Sequence, residues 1–132
     1  MFSLPKTERL CSKKLIEELF AKGRRSWTFP FGICWMPCDD TTEDCPPARV
    51  LFSVSKRRFR RAVDRNRVKR LMRECYRLHK PQLNEMLQRK DRHILLSFSY
   101  THNEILDYAT LYRKMGRIIE RLDNEIKTSD NV

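Results

Sequence analysis

Glycine, catalytic motifs and long apolar runs are all scarce in this sequence. Only three of the 132 residues are glycine, which excludes a glycine-rich loop of the kind that cradles phosphates. The sequence also lacks paired carboxylates or a nucleophile with its base at a recognisable spacing, and these are the usual marks of a reaction centre. These absences favour a protein that binds another molecule over one that performs chemistry with its own side chains.

The five cysteines form neither a dense disulfide framework nor a CxxC pair. Their odd number predicts reduced thiols, and the three histidines lie too far along the chain from Cys34, Cys38 and Cys45 to suggest a metal site. No apolar run approaches the roughly 18 residues of a membrane helix, and residues 1–10 lack the apolar segment of a signal peptide. We therefore expect a cytoplasmic protein with no membrane partner and no protein-bound metal.

Acidic residues are almost absent from one basic segment. Between Lys56 and Lys80 the chain places twelve of its 28 Lys and Arg residues and only two of its 17 acids, Asp64 and Glu74. This segment alone carries +10 of the formal net charge of +11, and the other 107 residues hold 16 basic and 15 acidic side chains. A local basic patch on an otherwise balanced chain predicts a polyanion as the partner.

The basic segment has helical periodicity. At about 100° per residue, one arc is mainly cationic and contains Lys69, Lys80, Arg73, Asn66, Arg77 and Arg70, next to Arg65. The opposite arc is apolar and contains Leu78, Leu71, Cys75, Val68, His79 and Met72. Solvated helix faces usually mix charge signs, and like charges at i,i+4 repel, so the cationic arc predicts an anion-binding face. His79 is expected to pack against the core and not to act as a base.

The remaining patterns predict a single α+β domain over residues 1–132, with helices packed on a small, mostly antiparallel sheet. A first helix is predicted from the N-cap Ser12 to Gly23, the long basic helix from the N-cap Asp64 to about His79, where Pro81 discourages continuation, and a last helix from about Asn103. Alternating apolar residues predict strands over 29–35, 48–55 and 93–100. Residues 37–47 are expected to form a variable acidic hairpin loop between two strands, and residues 128–132 a frayed tail.

Among polyanions, single-stranded RNA fits these features best. A membrane-surface helix would lie alone in the interface, whereas this helix lies between strands and needs its apolar arc for the fold. A DNA reader of the helix-turn-helix type has short neighbouring helices. Aromatic residues on a sheet beside a basic helix suit unpaired bases and their phosphates.

The segment from Ser53 to Lys80 resembles the signature of the bacterial ribonuclease P protein subunits. Its diagnostic part is RNRVKRLMRE, from Arg65 to Glu74, which is close to the family pattern RNxxKRxxRE and follows SxxK at Ser53–Lys56. The flanks are also similar, with Arg9-Leu10 ahead of a helix that contains Phe20 and ends at Gly23. The resemblance covers most of the chain except the acidic loop and the C-terminal tail.

The resemblance implies the protein cofactor of a ribonucleoprotein endonuclease that removes the 5′ leader from precursor tRNA. The RNA subunit would be the catalyst, so no catalytic residue is expected on the protein, and Mg²⁺ would act through that RNA. The implied partners are the catalytic RNA and precursor tRNA, with a protein that is monomeric when free. The family fold also implies a left-handed βαβ crossover around the basic helix.

Carried over by motif, the resemblance assigns two sets of site residues. The expected RNA-contacting set is Lys56, Arg57, Arg60, Arg65, Asn66, Arg67, Lys69, Arg70 and Arg73. The expected leader cleft contains Ile16, Phe20, Phe31 and Cys34, although Ile16 and Cys34 stand where the family often has aromatic rings. The stretch from Arg57 to Arg61 is more basic than the corresponding family turn, which predicts extra phosphate contacts.

Two other classes of protein share some of these features. A structural RNA-binding protein would have the same charge and fold class but no leader cleft, and a stand-alone nuclease would cleave without an RNA subunit. Reconstituted cleavage of precursor tRNA, with and without the catalytic RNA, separates all three.

Overall fold

The computed structural model describes residues 6–38 and 45–126. Within them, a 3-10 turn at Lys6–Glu8 precedes three α-helices and four β-strands. In chain order these are α1 (Lys13–Lys22), β1 (Arg24–Thr28), β2 (Phe31–Pro37), β3 (Ala48–Ser53), α2 (Ala62–Arg89), β4 (Ile94–Tyr100) and α3 (Tyr108–Glu125). None of these described helices is both long and apolar enough to cross a membrane. The predicted α+β class is confirmed.

The four strands form one sheet in the order β1-β2-β4-β3. β2 runs antiparallel to both β1 and β4, whereas β3 runs parallel to β4. Parallel neighbours require a crossover connection, and the chain makes it through α2 between β3 and β4. The basic helix is therefore the crossover of a βαβ unit, in a sheet that is mostly antiparallel, as predicted.

The two faces of the sheet are covered differently. Helices α2 and α3 pack on one face over the main core, which includes Phe31, Ile33, Phe52 and Phe98. The other face carries a smaller cluster in which Leu19 of α1 packs with Cys34 and Leu95. We call this second face the α1 face. Since α1 has only ten residues, about 15 Å of helix, part of the α1 face stays open.

The ends of α1 lie where the sequence predicts them. The Ser12 hydroxyl accepts a hydrogen bond from the Leu15 amide at 3.3 Å and caps the first turn. Gly23 follows the last turn in an extended conformation, and a Cβ there would lie 2.4 Å from the Leu19 carbonyl oxygen and 2.5 Å from Cys34 Sγ. Glycine is thus required because the chain passes close to both atoms as it enters β1.

The predicted end of the basic helix at His79 is wrong, because α2 continues through Pro81 to Arg89. Its last turns bury Leu83, Met86 and Leu87 in the main core. Proline inside a helix costs about 3 kcal/mol relative to alanine, and burying three large apolar side chains outweighs that cost. The start also differs, because Arg61 occupies the N-cap position and Asp64 lies inside the first turn.

Strand β1 was not predicted from the sequence. Its residues RRSWT lack apolar alternation, and the strand exists because its backbone pairs with β2 from Arg24 opposite Trp35 to Thr28 opposite Phe31. Helix α3 begins at Tyr108 and not near Asn103. The Tyr100 hydroxyl donates to the Glu104 carbonyl at 2.7 Å and accepts from the Leu106 amide at 3.1 Å, which holds this segment in a loop before the Asp107 cap.

The connection from β2 to β3 is not a hairpin as expected, since β4 lies between these two strands in the sheet. Residues 39–44 of the predicted acidic loop lie outside the described residues, and so does the predicted frayed tail at 128–132.

Candidate nucleic-acid interface

The basic helix divides its cations into two groups, of which the first makes contacts within the protein. Arg77 donates to Glu74 through Nη2 at 2.7 Å and Nε at 3.2 Å. Lys80 pairs with Glu8 of the N-terminal turn at 3.1 Å. Arg65 is half-buried, and its Nη1 donates to the carbonyl oxygens of Phe59 and Arg60, both at 2.8 Å. These three side chains hold the protein together and are less available to an external anion.

The second group projects from α2 without a protein partner. Within residues 6–38 and 45–126, these side chains make no hydrogen bond or ion pair, and all but the half-buried Lys69 are exposed. The group consists of Asn66, Arg67, Lys69, Arg70 and Arg73. Because no acid neutralises its four cations there, this group forms a surface that is suited to bind an anion, which we call the open basic face.

The turn that precedes α2 extends the open basic face. Lys56, Arg57 and Arg60 are exposed and make no side-chain hydrogen bond or ion pair in the described part of the chain. Phe59 lies between them and is buried in the core, stacked at a tilt on Tyr100 with ring centroids 6.0 Å apart. The buried ring anchors the turn, so its three cations are presented beside the first turn of α2.

The apolar side of α2 is rotated slightly from the predicted arc. Val68, Met72 and Cys75 are buried as expected, but Tyr76 is buried as well, whereas Leu78 is 42% exposed. His79 is packed, as predicted: its Nε2 lies 2.9 Å from the Tyr112 carbonyl oxygen, and its ring lies against Gly116 of α3. The rotation brings Arg65 toward the core, which explains why it bonds to the protein itself.

Local electrostatics on α2 follow from these contacts. The hydrogen bonds from Arg77 lower the pKa of Glu74 below its ordinary value, so this acid stays charged and paired. Burial raises the pKa of the Cys75 thiol to about 12 and also raises the pKa of Cys34. Both thiols are therefore protonated near neutral pH. In the described part of the chain, no group of three or more His, Cys, Asp or Glu side chains could hold a metal ion.

An open trough runs along the uncovered part of the α1 face. It has a volume of about 240 Å³, and its lining residues are Phe20, Arg25, Ser26, Gly32, Ile33, Cys34 and Ser99. Phe20 is 38% exposed at the end of α1, and Arg25 Nη2 donates to the Phe20 carbonyl oxygen at 2.7 Å. The trough thus combines an aromatic ring, a guanidinium group and small polar residues, which is a suitable surface for single-stranded nucleic acid.

One of the four residues predicted for the leader cleft, Phe31, lies on the opposite face of the sheet from the trough. Phe31 is fully buried in the main core, on the face covered by α2 and α3. Cys34 lies on the α1 face, but it is 95% buried, and its thiol lies 3.4 Å from the Leu19 carbonyl oxygen. Residues three apart on a strand point to opposite faces, so Phe31 and Cys34 could not have lined the same cleft. Ile16 of α1 is half-buried and packs against the cluster around Leu19, which leaves Phe20 as the predicted aromatic that reaches the trough.

Sequence reasoning missed Trp27, Arg25 and Gly32, which the structure brings to the same face. They were missed because β1 was not predicted. Once Arg24–Thr28 is known to be a strand, alternation places the side chains of Arg25 and Trp27 on the same face. The register then places Trp27 opposite Gly32 and Arg25 opposite Cys34.

Comparison with known proteins identifies the family. Residues 4–123 match the family model described as Ribonuclease P. The chain belongs to the ribonuclease P protein family. The ribonuclease P protein component of Porphyromonas gingivalis is 35% identical over 128 residues, which cover 97% of this chain and 92% of that relative. The ribonuclease P protein component of Chlorobaculum tepidum is 39% identical over 104 residues, covering 74% and 67% of the two chains.

Solved structures of ribonuclease P proteins share the fold. The Staphylococcus aureus protein superposes with a TM-score of 0.68 over 87% of this chain and 94% of its own, at 16% identity. The Thermotoga maritima protein gives a TM-score of 0.68 over 86% and 96%, at 18% identity. Family membership confirms the resemblance carried by the segment from Arg65 to Glu74, and the structural likeness confirms the α+β fold class.

Proposed function

We propose that this chain is the protein component of a ribonuclease P that processes precursor tRNA. In this role it binds the catalytic RNA and the single-stranded 5′ leader, and it promotes endonucleolytic removal of the leader to give the mature 5′ end. The RNA subunit performs the phosphodiester hydrolysis, and Mg²⁺ acts through that RNA.

The open basic face is the observation that carries the proposal. Four cations on adjacent turns of one helix repel each other, which costs stability in the free protein. Phosphate neutralises them, and arginine is well suited to bind phosphate through two hydrogen bonds. Asn66 belongs to the same face and can donate from its amide to a phosphate oxygen. This face accounts for the binding of a large, folded RNA.

The trough supplies the second binding element of the proposed function. It opens on the α1 face of the sheet, whereas the open basic face is on α2, which covers the other side. Two separate surfaces allow the protein to contact the catalytic RNA and the leader at the same time. Because mature tRNA lacks a leader, binding at the trough favours the substrate over the product.

Reconstitution of precursor cleavage at limiting Mg²⁺ tests the proposal. We expect no cleavage by the protein alone, slow cleavage by the catalytic RNA alone and faster cleavage by both together. Arg70→Ala and Arg73→Ala should reduce the stimulation, whereas Arg89→Ala should not, since Arg89 lies in the last turn of α2 and pairs with Asp123 at 3.6 Å. Cleavage by the protein alone would instead indicate a nuclease, and a lack of stimulation would indicate a structural RNA-binding protein.

A further inference from the structure

Trp27 is the most exposed aromatic side chain in the described part of the chain, with 58% of its surface accessible. It lies on the α1 face of edge strand β1, beyond the end of the trough. Trp35, the other tryptophan, is buried, and its Nε1 donates to Glu125 at 3.0 Å. Trp27 contacts the exposed ring of Phe29, and such a contiguous aromatic patch, unlike a single exposed ring, marks an interaction site.

The orientation of the Trp27 ring is fixed although the ring is exposed. Its Nε1 donates to the Thr101 hydroxyl at 3.0 Å, and that hydroxyl in turn donates to the Pro30 carbonyl oxygen at 2.8 Å. The ring of Phe29 meets Trp27 edge to face, with centroids 6.1 Å apart. Since its polar edge is already satisfied, the ring loses little conformational freedom when a planar group stacks on it.

The surroundings of Trp27 suit a nucleic-acid strand. Its cross-strand neighbour is Gly32, which has no side chain to cover the ring and forms part of the trough. Two residues earlier on the same face, Arg25 is exposed and contacts the backbone of Phe20. An exposed guanidinium group therefore lies between two exposed aromatic residues, the arrangement by which proteins hold phosphates while unpaired bases stack.

We propose that Trp27 is a stacking platform for an unpaired nucleobase of the leader, extending the leader site from the trough further along the edge strand. The inference rests on the proposed function, because it assumes that a leader occupies the trough. Stacking depends on the π-face that all bases share, so this contact accepts any base and requires only that it be unpaired. Trp27 is thus a substrate-binding residue and takes no part in the chemical step.

The test measures the affinity of the reconstituted holoenzyme for precursor tRNA and for mature tRNA. Trp27→Ala should weaken precursor binding about 5-fold or more, the loss expected for one stacked base, and leave binding of mature tRNA unchanged. Trp27→Phe should retain most of the affinity. Tyr108→Ala is the matched control, because Tyr108 is an exposed aromatic residue outside both binding surfaces. Circular dichroism checks that each variant is folded.

Leaders with single abasic nucleotides provide a second readout. One abasic position should weaken binding by the wild-type holoenzyme but cause no further loss with Trp27→Ala, because the same contact is removed twice. Losses that add at every position, or equal losses for precursor and mature tRNA, would overturn the inference alone. A wild-type holoenzyme with no preference for precursor tRNA would overturn the proposed function, and this inference with it.

Discussion

At the residue scale, arginines that look equivalent in the motif have different roles. Arg65 and Arg70 both belong to RNRVKRLMRE, but Arg65 binds two backbone carbonyls of its own chain and Arg70 projects into solvent. The motif therefore combines residues that shape the basic surface with residues that form it. Arg65 fixes the turn carrying Lys56, Arg57 and Arg60 against the start of α2.

The two arginines should separate stability from RNA binding. We expect Arg65→Ala to lower the free energy of unfolding by about 1 to 2 kcal/mol, because it removes two partly solvated, charge-assisted hydrogen bonds. Arg70→Ala should change stability by less than about 0.5 kcal/mol and weaken binding to the catalytic RNA. Urea denaturation and filter binding measure the two effects. Equal destabilisation by both substitutions would contradict the assigned roles.

Two glycines give a similar contrast on the α1 face. Gly23→Ala should destabilise the protein by about 1 to 3 kcal/mol, because the new Cβ would collide with the Leu19 carbonyl oxygen and Cys34 Sγ. Gly32→Ala should be tolerated, since the atoms nearest to its Cβ would be Thr101 Cγ2 at 3.5 Å, Ser99 Cβ at 3.9 Å and the Ser99 carbonyl oxygen at 4.0 Å, all ordinary van der Waals contacts. The added methyl group should nevertheless raise the floor of the trough and weaken the binding of precursor tRNA relative to the binding of mature tRNA. Thermal unfolding and tRNA affinity measure these outcomes, and unchanged discrimination in Gly32→Ala would count against leader binding in the trough.

At the element scale, the two halves of α2 have different roles. Its first turns carry the open basic face, and its last turns bury Leu83, Met86 and Leu87. The helix continues past Pro81 because the second segment is required by the core. A residue that interrupts most helices is tolerated here on an exposed position.

Replacing Pro81 should show this balance directly. Pro81→Ala restores the missing backbone N–H, and we expect the free energy of unfolding to rise by about 1 to 2 kcal/mol. This expected gain is smaller than the full cost of proline inside a helix, because replacing proline also increases the conformational freedom of the unfolded chain. The urea midpoint should rise with an unchanged m-value, and RNA affinity should stay the same. A lower midpoint would mean that Pro81 stabilises the observed path of the helix.

The elements that sequence could predict are those with strong apolar periodicity. Alternation located β2, β3 and β4, and the caps Ser12 and Gly23 located α1, because these signals are local. Strand β1 depends on pairing with β2, and the continuation of α2 depends on burial far from Pro81, so both are set by tertiary contacts. Alternation could show that Phe31 and Cys34 face opposite sides, but not which side the helices cover. For that reason Phe31, which was carried over from the family resemblance, was wrongly placed in the cleft, whereas Phe20 and Cys34 do line the trough. Trp27 was missed because its strand was missed.

At the scale of the whole molecule, the two candidate binding surfaces lie on opposite sides of the sheet. The basic segment holds +10 of the net charge of +11, and the open basic face lies on α2, across the sheet from the trough and Trp27. In the proposed complex, the RNA contacts of α2 are mainly electrostatic, whereas those of the α1 face depend largely on stacking. The two binding reactions should therefore respond differently to salt.

The salt dependence of catalytic-RNA binding should report the number of phosphates that the protein neutralises. If at least five phosphates are contacted, the slope of log affinity against log salt should be roughly −3.5 to −4.5. The double variant Arg70→Gln and Arg73→Gln should reduce the steepness by about 1.4 to 1.8, because two phosphate contacts are lost. Arg89→Gln, at the opposite end of α2, should leave the slope unchanged. Stacking does not release counterions, so Trp27→Ala should weaken precursor binding by the same factor at each salt concentration. A wild-type slope near −1 would contradict an RNA interface on the open basic face, since so few neutralised phosphates would leave most of its cations without a ligand.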